Sequence, residues 1–72
     1  MNIKTHFEIG KDDNGDTHPV FTSLALSECL VEWQSKQYTQ SEGYFIDVWE
    51  QAGDEPPYPK ANIKIEEWIF LA

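Results

Sequence analysis

The 72-residue chain carries thirteen Asp and Glu against five Lys and no Arg, a formal charge of −8. Apolar residues make up 40% of it, an ordinary globular fraction, which excludes a disordered acidic tail. A field of that sign excludes direct nucleic-acid binding through a basic surface. The single cysteine, Cys29, excludes an internal disulfide or a thiolate zinc cluster.

Residues 1–72 are expected to form one domain, because so short a chain holds one core and buries only about 60% of its unfolded surface. Ile3, Thr5, Phe7 and Ile9 alternate with Lys4, His6 and Glu8, the two-residue period of a half-buried strand. Asn14-Gly15 lies at the centre of the polar stretch 10–16 and signals a hairpin. A turn there sets Ile9 opposite Val20, Phe7 opposite Thr22, Thr5 opposite Leu24 and Ile3 opposite Leu26, with the apolar members on one face. Pro19 would face Gly10 and cannot donate to the ladder, so the hairpin tip is expected to open into a longer loop.

A helix follows, with Ser27 as N-cap and Thr22 or Ser23 as alternatives. Leu26 and Val31 are placed as a hydrophobic staple, and Glu28 falls in the first turn. Leu26, Cys29, Leu30 and Trp33 form one apolar stripe, in which Cys29 reads as a small buried residue. The helix is expected to end by residues 37–40, with Gly43 in a loop. Residues 44–51 read as a third strand. Asp54-Glu55-Pro56-Pro57-Tyr58-Pro59 makes 52–62 a linker that is neither helix nor central strand, and 63–71 read as the fourth strand. The fold class is α+β: a small antiparallel sheet in β-β-α-β-β order, with one helix packed on one face.

One helix covers one side of a sheet. Tyr44, Ile46 and Val48, with Ile63, Ile65 and Glu67, take the helix side. Phe45, Asp47 and Trp49, with Lys64, Glu66, Trp68 and Phe70, take the other, unless a bulge near Glu66-Glu67 changes the parity. Aromatics among carboxylates have the composition of a protein-binding patch with an acidic rim. The competing reading folds 52–62 over these rings as a second small core. Pro-Pro-Tyr-Pro has the composition of a polyproline ligand, and equally of a rigid loop.

No catalytic or cofactor chemistry is expected. Asp12-Asp13-Asn14-Gly15-Asp16 lacks the glycine and the final glutamate of a helix-flanked calcium loop. His6 is expected opposite Ser23 and His18 opposite Lys11, so the two do not converge on a metal. Ser23, Ser27, Ser35 and Ser41 have no glycine-rich elbow, the glycines are too scattered for a phosphate loop, and Glu66 and Glu67 point to opposite faces. Residues 1–6 show no apolar run behind a basic segment, and 68–72 are too short to span a membrane, so a cytoplasmic protein is expected. For a phage-encoded protein this means the host cytoplasm.

The functional expectation is a non-catalytic acidic interaction domain that binds a larger protein with a basic surface. In its sharper form it is an inhibitor occupying a nucleic-acid-binding surface, of the kind carried by phages and mobile elements. Asp47, Trp49, Glu50, Asp54, Glu55, Glu66, Trp68 and Phe70 are the expected partner-binding residues, with Asp12, Asp13 and Asp16 as a second acidic tip. The alternative is a structural or accessory domain that forms a homodimer through a strand edge or the aromatic face.

Overall fold

Asn14 (φ 57°) and Gly15 (φ 92°) adopt the paired left-handed conformations of a two-residue type I′ turn, and this turn sets the first hairpin. Residues 2–64 are described by a computed structural model. Strands β1 (Ile3–Asp13) and β2 (Asp16–Ser23) flank the turn, and Asp12 Oδ1 accepts the Gly15 N–H at 3.0 Å. Helix α1 (Leu26–Lys36) follows, then a 3₁₀ turn (Gln40–Glu42), β3 (Tyr44–Ala52) and β4 (Tyr58–Ile63). All strand pairs are antiparallel, in the order β2-β1-β3-β4. This is the α+β architecture read from the sequence.

The hairpin register differs from expectation at one residue. Pairing runs unbroken from Asp13–Asp16 to Gly10–Pro19, so the tip stays closed, and His18 does face Lys11. Then Val20 bulges out, and Ile9 faces Phe21 while Phe7 faces Ser23. The bulge delivers Phe21 to the core and leaves Val20 38% exposed. Thr5 and Ile3 therefore do not pair with Leu24 and Leu26: β2 stops at Ser23, and Leu26 opens the helix.

The fourth strand, Tyr58–Ile63, starts within the expected linker 52–62 and ends one residue beyond it. Pro59 is accommodated because β4 is an edge strand, where its missing N–H breaks no inner ladder. Of the expected strand 63–71, Ile63 closes β4 and Lys64 lies beyond it, while 65–72 lie outside the described residues. Lys60 bulges just after Pro59, as Val20 does just after Pro19. Both edges of the sheet thus carry the same device, a proline followed by a bulged residue.

Helix α1 caps at Ala25, two residues before the expected Ser27. The Ser23 hydroxyl accepts the Ala25 N–H at 3.1 Å and donates to the Glu28 carboxylate at 2.8 Å. The hydroxyl thus relays Glu28 to the N-cap N–H, which is one half of a capping box; Ala25 has no side-chain oxygen to supply the other half. Val31 is 66% exposed and not a staple partner of Leu26. At the far end Gln37 is left-handed, its N–H reaches Gln34 O, and Tyr38 N–H reaches Trp33 O, which is a Schellman closure. The matching hydrophobic contact is Trp33 against Tyr38, edge to face at 6.0 Å.

The core is Ile9, Ile46, Cys29 and Trp33, with Phe7, Phe21, Leu26, Leu30, Tyr38, Tyr44 and Ile63 around it. The expected helix stripe is therefore the buried one. Burial and the flanking Glu28 and Glu32 raise the Cys29 thiol above its ordinary pKa, so it stays protonated near neutrality. Gly43, at φ 99°, fastens the 3₁₀ turn to β1: its carbonyl accepts the Asp12 N–H at 2.9 Å, and a Cβ there would lie 2.6 Å from Asp12 O. Among the described residues no helix is long and apolar enough to cross a membrane.

Ser23→Ala removes the hydroxyl that joins Ala25 to Glu28. We expect a loss of about 1 kcal/mol, read as a lower urea midpoint at unchanged slope.

Candidate functional site

Helix α1 lies over β1 and β2 on one side of the sheet, and among the described residues no helix lies on the other. Strand alternation and the observed register arrange that open side in rows. Pro19, Gly10 and Phe45 form one row; Thr22, Glu8, Asp47 and Asn62 the next; His6, Trp49 and Pro59 the third. A groove of about 330 Å³ runs along them, lined by Glu8, Phe45, Asp47, Trp49 and Pro59 among others. A wider hollow of about 490 Å³ beside Leu24 and Thr22 has no comparable row of carboxylates.

The walls of the groove are built by cross-strand pairs. Phe45 lies across Gly10 so closely that a Cβ on Gly10 would sit 2.5 Å from the ring. Only a residue without a side chain leaves room for the ring there. The Trp49 and His6 rings stack at 5.9 Å with 12° between their planes. Trp49 Nε1 is buried with no acceptor among the described residues.

Between these aromatic rows sits a pair of like charges. Glu8 and Asp47 are direct cross-strand partners, and residues so placed have Cβ atoms about 4.5–5.5 Å apart. Asp47 accepts a hydrogen bond from Asn62 Nδ2 at 3.0 Å, and the same amide reaches Ile46 O at 3.3 Å. Burial raises the Glu8 pKa; the neighbouring His6 opposes it, and Asp47 adds a smaller rise. Among the described residues the ion pair formed is Lys60–Glu50, at 2.9 Å, so neither Glu8 nor Asp47 has a cation at contact distance. Lys11 is engaged over the Tyr44 ring, 5.2 Å from its centre, on the helix side.

The expected contact residues separate. Asp47 and Trp49 come together on the open side. Glu50 alternates to the opposite side, where Lys60 and the Tyr58 hydroxyl hold its carboxylate. Asp54 and Glu55 are exposed in the turn between β3 and β4. Asp12 lies on the open side beyond Gly10, its Oδ1 tied to the turn, while Asp13 and Asp16 flank the turn and are exposed. Glu66, Trp68 and Phe70 lie outside the described residues.

His6 faces Trp49 rather than Ser23, since it extends beyond the end of β2. Glu8 and His6 belong to the site although neither stood among the expected contact residues. The alternation of β1 places both opposite Ile9; what brings them to Asp47 and Trp49 is the pairing of β1 with β3. Among the described residues no three or more His, Cys, Asp or Glu side chains are grouped to hold a metal ion. No protein-family model matches the chain, and neither a curated protein nor a solved structure shows significant similarity to it.

Because its folded pKa is raised, ionised Glu8 costs stability at neutral pH, and that cost disappears as pH falls through the raised value towards 4.5. Glu8→Gln should therefore raise the urea midpoint at pH 7. It should also remove the part of the pH dependence lying just above 4.5, so that variant and wild type converge in acid.

Proposed function

We propose that this protein is a non-catalytic interaction domain that binds a basic surface of a larger protein through the open side of its sheet. The observation that carries this reading is the Glu8–Asp47 pair, two adjacent carboxylates without a cation at contact distance, set between aromatic rows. Like charges placed this way are destabilising when free, and a cationic partner relieves them. The net charge of −8 adds long-range attraction towards such a surface.

Nucleic-acid-binding proteins present basic surfaces shaped for rows of negative charge. The reading therefore extends to an inhibitor that occupies such a surface in place of phosphate. It would work in the cytoplasm, or in that of a host if a phage or mobile element encodes it. The prolines and bulges of β2 and β4 support a face-directed contact over pairing of a strand edge with a second copy.

Affinity capture from the native lysate tests the reading. A basic nucleic-acid-binding protein should be retained at low salt, released at high salt, and hindered from binding DNA by added acidic protein. Light scattering should show the free protein to be monomeric. Recovery of no basic protein at low salt contradicts the proposal.

A further inference from the structure

We propose that the Glu8–Asp47 row is a receptor for one arginine side chain of the partner, with the guanidinium lying across the two carboxylates and stacking against Phe45 and Trp49. This rests on the functional reading above and specifies the chemistry that the groove recognises.

Glu8 and Asp47 face each other across two central strands, so their carboxylates can address two edges of one planar cation. Along the strands the flanking rows lie two residues away, roughly 7 Å on each side. Rings in those rows can lean over a flat group held between them. Phe45 already packs against Gly10, and Trp49 is braced by the stacked His6 ring. Neither wall has to be ordered when a ligand arrives.

The charge is also placed for a cation that gives up water readily. Glu8 and Asp47 are both partly shielded from solvent, and Asn62 holds Asp47 from the side of β4. A lysine ammonium is a compact, strongly hydrated point charge. A guanidinium is planar, less strongly hydrated, and stacks on aromatic faces while its edge donates to carboxylates. A metal ion fits less well, because among the described residues no third ligand joins this pair.

Pentaarginine and pentalysine peptides of equal charge, titrated into the full-length protein at low salt, make the test. The Trp49 indole N–H resonance reports contact. Pentaarginine should bind about tenfold more tightly than pentalysine and shift that resonance. The double variant Glu8→Gln, Asp47→Asn should bind the two peptides equally and weakly, with an undiminished urea midpoint showing that it folds. An Asp12→Asn, Asp13→Asn control should keep the preference for arginine.

Equal binding of both peptides by the wild type, or a preference that survives in the double variant, overturns the arginine receptor and leaves the broader reading standing. Binding of neither peptide, with no basic protein captured, overturns both. Nuclear Overhauser contacts placing residues 65–72 or a second copy against Phe45 and Trp49 in the free protein would also overturn it, by showing the groove already filled.

Discussion

Everything in this small protein depends on how one helix seals one side of a four-stranded sheet. Ile9 and Ile46 face each other on the two central strands and are both fully buried, closed over by Cys29 and Trp33. An eleven-residue helix supplies a single stripe of that width, and its ends are secured by the Ser23–Glu28 relay and by the closure at Gln37. The Val20 bulge serves the same seal by turning Phe21 inward. Apolar burial is the dominant favourable term in folding, and here it is concentrated on one side.

The other side follows from that concentration. Among the described residues no second helix covers it, and the sheet presents alternating side chains in cross-strand rows, with Phe45 and Trp49 on either side of Glu8 and Asp47. A face evolved only to remain wet would carry mixed charges and few rings. Here Phe45 packs on Gly10 and Trp49 stacks on His6, and between them lie two acids that have no cation at contact distance among the described residues. The edges of the sheet are guarded by Pro19–Val20 and Pro59–Lys60. Guarded edges are what favour the face as the proposed surface of contact.

Much of this is legible in the chain itself. The Asn14-Gly15 turn, the stripe of Leu26, Cys29, Leu30 and Trp33, and the split of residues 44–49 between two faces all follow from local periodicity. Three features do not. The Val20 bulge changes register through one residue, and a period-two pattern cannot reveal where a strand skips. Pro59 looks like a strand breaker unless the strand is known to lie at an edge, which is a property of the whole sheet. The meeting of Glu8 with Asp47 depends on β1 pairing with β3 across the intervening helix, a contact between residues far apart in sequence. The half of the candidate site contributed by β3 was thus visible from sequence, and the half contributed by β1 required the topology.

Trp33 belongs to the seal and Trp49 to the proposed contact face, a division that the stabilities of Trp33→Ala and Trp49→Ala test most directly. Trp33 is 2% exposed beneath the helix, and its removal should cost about 3–5 kcal/mol, enough to unfold much of the population of so small a domain. Trp49→Ala should keep the native circular dichroism spectrum and a cooperative urea transition, with a much smaller loss. Equal losses for the two variants would show that the open side is a second core, and would contradict the account.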